Sequence, residues 1–239
     1  MYEEENKYPS IFATPRGSQF SINVSQVFGS PYTFDEAIHI LGVASPDDII
    51  VFQINSDGGQ LYSLIALQNA IRSSQAQIHM NLIGMAASAG GALFLTEGVS
   101  SYGVGDNTCL MIHNMLCGTG YDDTHKIVTR AEHNKKINDR FVRETYLNFL
   151  SETEIQSVLD GKEIYLEDYE IKERLEKRES LRESEYQASV QQTIEDEMLE
   201  SSVSLEVFTD EELAEELKLI QVEIKKRKNI KKELLGENK

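Results

Sequence analysis

Apolar residues in the first part of the chain alternate between short continuous runs and positions at helical spacing. Residues 49–55 (IIVFQIN) and 78–83 (IHMNLI) are compact apolar runs, which are typical of buried strands. Between them, residues 60–74 carry leucine and isoleucine every three or four positions, which predicts a helix. A strand, a helix and a second strand in this order predict a right-handed crossover that joins two parallel strands.

Weaker patterns extend this unit in both directions. Upstream, residues 32–41 predict a helix, and Ser45-Pro46-Asp47-Asp48 predicts the turn that leads into the first strand. Downstream, a short apolar helix is expected to end near Leu95, and residues 100–104 and 108–113 are β-like. The sequence therefore predicts an α/β fold.

The pattern becomes more charged toward the C-terminus. Residues 121–150 predict a long helix with a densely charged polar face, which would either cap the sheet or project toward another subunit. Beyond about Leu175 we predict no further strand. Near the end, Thr209 opens a capping box, and the apolar positions that follow have four-three-four spacing, with acids early and lysines late. This last helix would pack on its own body or serve in docking or oligomerisation, and the sequence leaves both open.

These changes divide the chain into three parts. Residues 1–20 form an N-terminal segment that is flexible, axial or a short propeptide, residues 21–175 form the α/β domain, and residues 176–239 form a charged, mainly helical extension.

Composition narrows the class of protein. The 239 residues are 40% hydrophobic, enough for one substantial core, and contain no apolar run that could span a bilayer. The two cysteines form neither a disulfide framework nor a metal-ligand cluster, and the N-terminus lacks a signal core, so we expect a cytoplasmic protein with no metal or cofactor. The net charge of -17 argues against a nucleic-acid partner, because phosphate binding needs clustered cations.

One serine lies among residues with little or no side chain, in Gly84–Gly91 (GMAASAGG). A serine at a strand-to-helix turn can project its hydroxyl into a cleft, and small neighbours leave room for a substrate backbone and an amide for an oxyanion. A tight Ala/Gly packing turn would have the same sequence. Ser88 is therefore a candidate nucleophile whose assignment depends on what else converges on it.

Two further groups occur where predicted strands end. The first strand runs into Asn55–Gly59 (NSDGG), where paired glycines form either a turn that offers an amide to a ligand or an ordinary turn. The last strand ends in Met111-Ile112-His113. Because open α/β sheets bind ligands at the carboxyl ends of their strands, we expect the glycine turn, Ser88 and His113 on the same rim.

A serine hydroxyl needs a base, and histidine suits this role because its pKa of about 6.5 lets it accept and return a proton. Only one of the five histidines follows a strand. The other four fall on a predicted helix or strand: His39, His125, His133 and His79. His113 is thus the candidate base.

The order NSDGG, GMAASAGG and MIH, followed by a long helix, resembles the proteolytic subunit of the Clp (caseinolytic) serine peptidase family over about residues 20–170. The resemblance implies a crotonase-like spiral of βαβ units with a protruding handle helix, here residues 121–150. It also implies a Ser-His-Asp endopeptidase that cleaves unfolded polypeptides. Such subunits form stacked rings, as a heptamer or tetradecamer, fed by an AAA+ unfoldase that consumes ATP.

Carried over by position, the resemblance makes Ser88 the nucleophile and His113 its base. The backbone amides of Gly59 and Ala89 would form the oxyanion hole. Gly58 would contact the substrate beside that hole.

The resemblance also implies a substrate groove and a third catalytic residue. Residues 114–120 would be its edge strand, lined by Asn114, Met115 and Leu116. The family's catalytic aspartate matches Glu163, whose extra methylene would require the backbone to retreat. Asp160 is the alternative, and Asp168 is a weaker candidate.

The chain departs from the family pattern in several places. Asp57 replaces a proline and Ala89 a bulky residue, but the oxyanion contacts use backbone amides and should survive both changes. After Glu163 the family signature is not recognisable, so the pocket that docks the unfoldase cannot be traced. A divergent cellular, plastid-type, viral or capsid-maturation member fits these departures.

Two other functions stay open. An acyl-CoA hydratase or isomerase would have the same spiral and an oxyanion hole, but would use carboxylates as acid and base. A non-catalytic ring component would assemble through the long helix and the extension after losing activity through change at Glu163.

Overall fold

The computed structural model describes residues 17–118, 120–205 and 210–234. The strands are β1 (Gln19–Val24), β2 (Ile49–Ser56), β3 (Gln77–Ala87), β4 (Ser101–Val104), β5 (Cys109–Ile112) and β6 (Ile164–Glu167). The helices are α1 (Asp35–Val43), α2 (Leu61–Ser73), α3 (Ala89–Phe94), α4 (Thr124–Thr145), α5 (Glu152–Leu159), α6 (Asp168–Leu205) and α7 (Asp210–Leu234), with a 3-10 turn over Pro31–Phe34. The chain divides into two compact units between Ser180 and Leu181.

The six strands form one mixed sheet in the order β1-β2-β3-β5-β6, with β4 also paired to β3. All pairings are parallel except β5 with β6, which is antiparallel. One edge of the long strand β3 is shared by two partners, because residues 79–82 pair with β4 and residues 85–87 pair with β5. The α/β class predicted from the sequence is confirmed.

The core lies where the apolar runs predicted it. Ile50, Phe52 and Ile54 of β2 are fully buried, as are Leu64 and Leu67 of α2. The predicted crossover over residues 49–83 is therefore present as β2, α2 and β3, and its two strands are parallel.

Three predicted elements differ from the structure at their ends. The second strand continues past residue 83 to Ala87, because its end pairs with β5. The helix predicted at 32–41 is a 3-10 turn followed by α1. The long helix is shorter than 121–150 because Asp123 caps it, accepting a hydrogen bond from the His125 amide at 2.8 Å. It ends at Thr145, and the buried Tyr146 turns the chain.

Sequence patterning misses β1, α5 and β6. The last is a four-residue segment, IYLE, among acidic residues, and it is a strand because it pairs with β5. A short segment of this kind carries too little periodicity to be assigned without its partner.

One buried arginine ties α6 to the sheet. The guanidinium of Arg178, with no exposed surface, lies over the rings of Tyr102, at 4.8 Å, and Phe149, at 5.7 Å. It also donates a hydrogen bond to the carbonyl of Leu95 at 3.3 Å. Stacking on two aromatic faces suits a planar cation and fixes the start of α6 against the core.

The second unit contains residues 181–205 of α6 together with α7. Its helices expose several apolar side chains, including Tyr186, Leu217 and Val222. The predicted capping residue Thr209 lies outside the described residues.

Besides the contacts of Arg178, an ion pair holds α6 on α5. Ser151 and Glu154 form a capping box at the start of α5, and both carboxylate oxygens of Glu154 accept hydrogen bonds from Arg174, at 2.8 and 3.0 Å. The hydrogen bond from Arg174 is the main reason that the pKa of Glu154 falls from 4.5 to about 2.

We expect this carboxylate to make stability depend on pH. Because folding lowers its pKa, its contribution is present above about pH 4.5 and is lost as the pH falls toward about 2. Thermal melts across this range should therefore show a steeper loss of Tm for the natural chain than for Glu154→Gln. As a control, Glu152→Gln alters an exposed pair with Arg143 and should keep the steep profile. Equal slopes for Glu154→Gln and the natural chain would contradict this prediction.

Candidate active site

Ser88 lies on a strained turn between β3 and α3. Its backbone has φ 54° and ψ -123°, a conformation that residues with a Cβ rarely adopt. Its amide donates to the carbonyl of Met111 at 2.9 Å, and its carbonyl accepts from the Ala92 amide at 3.0 Å. The turn is thus held from both sides, and it projects the serine side chain at a strand-to-helix junction.

His113 follows β5 directly and meets Ser88. Because Ala87 pairs with Met111 in the parallel β3–β5 ladder, the residues just beyond both strands leave the same edge of the sheet. The Oγ of Ser88 and the Nε2 of His113 are 2.7 Å apart, and both residues are half-buried. For base catalysis the hydroxyl must donate to Nε2, with the ring proton on Nδ1.

A serine beside a histidine is not sufficient to define such a site. His79 and Ser101 on β3 and β4 also have a 2.7 Å contact, between Nδ1 and Oγ, but they lie within paired strands and Ser101 is exposed. What distinguishes Ser88 and His113 is the strained turn and the amides beside it.

The glycine turn after β2 packs directly on the serine turn. Gly58 has φ 89°, and a Cβ at this position would come within 2.5 Å of the Ala87 carbonyl oxygen and 2.6 Å of the Ala89 amide nitrogen. Gly59 has φ 143°, and a Cβ there would come within 2.3 Å of the Phe28 carbonyl oxygen. Only glycine fits both positions, so the two turns have their backbones in contact.

Two amides at this contact have no acceptor among the described residues. The Phe28 segment uses the Gly58 carbonyl and the Gln60 amide, and bypasses the Gly59 amide. Ala89 is the first residue of α3, where helix amides lack an internal partner. Within the part of the chain that the structure describes, neither amide donates a hydrogen bond. Both are therefore available for an oxyanion, whereas the Ser88 amide is already engaged.

The predicted groove segment is tied to two helices. The Met115 amide donates to Oδ1 of Asn138 in α4 at 2.9 Å, and Nδ2 of Asn114 donates to the Leu159 carbonyl at 3.2 Å. Leu116 is 86% exposed. Residues 114–118 form no strand, so the edge strand expected over 114–120 is wrong for these five residues, and the hydrogen bond from the Met115 amide to the Asn138 side chain holds the segment instead.

Within the described ranges, no acidic side chain reaches the histidine. Continuing the β5–β6 register by one step sets His113 opposite Glu163, yet the Glu163 carboxylate accepts from the Tyr165 hydroxyl at 2.9 Å. Asp160 is exposed and bonds Gln156. Asp168 accepts from the Asn107 amide. Among the described residues no carboxylate lies within hydrogen-bonding distance of His113, and Glu163 as third member stays a prediction.

Comparison with known families identifies the chain. The sequence matches the Clp protease family over residues 33–161, which is more than half of its length. The chain belongs to the Clp protease family. Comparison with curated proteins finds no match.

Membership supports a peptidase and agrees with the resemblance inferred from the motifs. The matched range includes Ser88, His113 and the glycine turn, and ends two residues before Glu163. No helix in the described ranges of this Clp family member is long and apolar enough to cross a membrane.

Two contributors to the site escape sequence reasoning. Asn138 is 6% exposed on α4 and holds the Met115 amide, and the only sequence signal is a polar residue at a buried helical position. The Tyr165 hydroxyl donates to Glu163, and this contact could be expected only if β6 had been predicted.

The Cys109 thiol on β5 is no rival nucleophile, because burial, together with Glu167 and Glu170, raises its pKa and keeps it protonated.

We expect the contact between the two turns to tolerate no side chain. Gly58→Ala should lower the free energy of unfolding by about 1–3 kcal/mol or more, because it combines an unfavourable φ with a backbone clash. The matched control is Gly42→Ala on α1, where a Cβ meets no atom within 4 Å and should stabilise by up to about 1 kcal/mol. Urea denaturation of both variants measures the difference. A Gly58→Ala variant as stable as the natural chain would show that the turns do not touch.

Proposed function

We propose that this chain is a serine endopeptidase subunit that cleaves unfolded polypeptides inside a self-compartmentalised ring. The observation that carries the proposal is the 2.7 Å contact of Ser88 Oγ with His113 Nε2, at a strained turn beside two amides that have no acceptor among the described residues. Membership of the Clp protease family supports the same chemistry.

The proposed reaction has two halves. In the first, Nε2 of His113 takes the proton of the Ser88 hydroxyl as Oγ attacks the scissile carbonyl carbon, and the resulting imidazolium then protonates the leaving amine as the C–N bond breaks. In the second, His113 deprotonates a water that attacks the acyl carbon, and the imidazolium returns the proton to Oγ as the C–Oγ ester bond breaks and the carboxyl product leaves.

The Gly59 and Ala89 amides would hold the negative oxygen in both halves. Donors of this kind contribute about 2.7–4 kcal/mol each to the transition state. They are positioned before substrate arrives, because the glycine turn rests on the serine turn. Glu163 would steady the imidazolium as the third member.

The substrate would bind as an extended strand along Asn114, Met115 and Leu116, close to Gly58. The hydrogen bond from the Met115 amide to the buried Asn138 side chain holds this segment against α4. Main-chain recognition of this kind accepts many sequences, which suits a peptidase for unfolded polypeptides.

Assembly and partners rest on the family. We propose the crotonase-like spiral, the role of α4 as the handle between rings, and an AAA+ unfoldase as feeder. The charged outer face of α4 supports a helix exposed to solvent or to another subunit. The cytoplasmic location also stays a prediction.

A catalytically impaired ring component is the second candidate. It is favoured by one observation, the lack of a carboxylate at His113 among the described residues. The hydratase alternative has less support, because the groups beside the unengaged amides are a hydroxyl and an imidazole.

We expect Ser88→Ala to lose covalent labelling by a fluorophosphonate probe and to lose peptide cleavage, because both need Oγ. The matched control is Ser101→Ala, which removes the hydroxyl of the other serine–histidine pair and should label like the natural chain. Mass spectrometry of the labelled peptide locates the adduct. Persisting label on Ser88→Ala would refute the assignment, and an unlabelled natural chain would favour the impaired component.

We expect electron microscopy of the purified chain to show stacked seven-fold rings, as the family assembly requires. Ser88→Ala should assemble equally well, because the hydroxyl lies at the active site and not in the handle. A monomeric chain at the same concentration would contradict the ring proposal without touching the chemistry.

A further inference from the structure

The carboxylate of Glu163, which lies just before β6, is held by a residue within that strand. The Tyr165 hydroxyl donates to Oε2 of Glu163 at 2.9 Å, and Tyr165 is 57% exposed. The hydrogen bond to Glu163 and the charge of Glu163 raise the pKa of Tyr165. The phenol therefore stays protonated at neutral pH and remains a donor.

The β5–β6 register shows in which direction the hydrogen bond to Tyr165 turns the Glu163 carboxylate. Met111 pairs with Tyr165 and Ile112 with Ile164, where the ladder ends, and extending that register by one residue sets His113 opposite Glu163. Residues two apart on a strand lie on one face, which puts Glu163 and Tyr165 on the same side.

Tyr165 lies farther along that face, away from the histidine. Directly opposed side chains have Cβ atoms about 4.5–5.5 Å apart, whereas diagonal ones are about 7–8 Å apart. Bonding to Tyr165 therefore draws the carboxylate toward Met111 and away from the imidazole. This explains how Glu163 can be opposite His113 in register and yet make no hydrogen bond to it.

We propose that Tyr165 is a positioning residue that competes with His113 for the Glu163 carboxylate and holds the third catalytic member out of line. The triad forms in the fraction of molecules in which Glu163 leaves the phenol and accepts from Nδ1 of His113. This inference rests on the proposed peptidase function and adds a residue that sets how much of the enzyme is aligned.

The reverse role would have the opposite effect. If the Tyr165 hydroxyl held Oε2 of Glu163 in place while Oε1 bound His113, removing the hydroxyl would lower kcat. The two roles therefore predict changes of opposite sign in kcat.

Tyr165→Phe tests the competition with the ring left in place. We expect kcat for an unstructured peptide, and the rate of fluorophosphonate labelling, to rise about two- to tenfold, because one exposed hydrogen bond to a charged group no longer opposes alignment. KM should change little, since no substrate contact is altered. The matched control is Tyr169→Phe, a similarly exposed tyrosine on α6, which should leave both rates unchanged.

A double-mutant cycle with Glu163→Gln decides whether the effect passes through the acid. Glu163→Gln alone should lower kcat, and adding Tyr165→Phe to it should give no further change, because the competition has no carboxylate to act on. Melting temperatures of all variants separate these effects from damage to the fold.

Each result supports or overturns the inference. An unchanged or lower kcat for Tyr165→Phe, or an equal gain in the Glu163→Gln background, would overturn it. Either result leaves the proposed function intact if cleavage still requires Ser88. If Ser88→Ala continues to cleave peptides, the proposed function fails first, and this inference fails with it.

Discussion

The hydrogen bond from the Ser88 amide to the Met111 carbonyl fixes the geometry on which the site depends. It joins the turn that carries Ser88, the proposed nucleophile, to the end of β5, two residues before His113, the proposed base. It also occupies the Ser88 amide, which leaves the Ala89 amide as the donor on that side. This backbone contact joins the two elements at the place where the Ser88 hydroxyl and the His113 imidazole are 2.7 Å apart.

Close backbone packing makes the second half of the site. Gly58 and Gly59 let the β2 turn lie against the β3 turn, and Gly90 lets α3 approach the Ser56 carbonyl, where a Cβ would come within 2.6 Å. Small residues in this region therefore have a steric reason. The strained backbone of Ser88 is tolerated because the close packing of these neighbours restricts the conformation of the turn.

Glu163, the proposed third catalytic residue, differs from these parts in how its side chain is supported. Ser88 and the glycine turn are held by buried strands, whereas Glu163 is exposed and lies just before a short edge strand. Contacts at α5 and α6, through Arg174 and Arg178, anchor the segments that flank it but do not fix its side chain. Because the Glu163 carboxylate is not buried, its position along the chain decides which group it bonds, and the neighbouring Tyr165 phenol can compete for it.

The sequence by itself determined the α/β class, the crossover from β2 to β3 and the candidate pair Ser88 and His113, because each rests on local periodicity or on a residue at a strand exit. Only the tertiary structure decided what depends on pairing across the chain. That includes β6, which exists through its register with β5, and the approach of the two turns. It also includes the hydrogen-bond partner of Glu163, because the order of residues does not show whether this carboxylate bonds Tyr165 or His113.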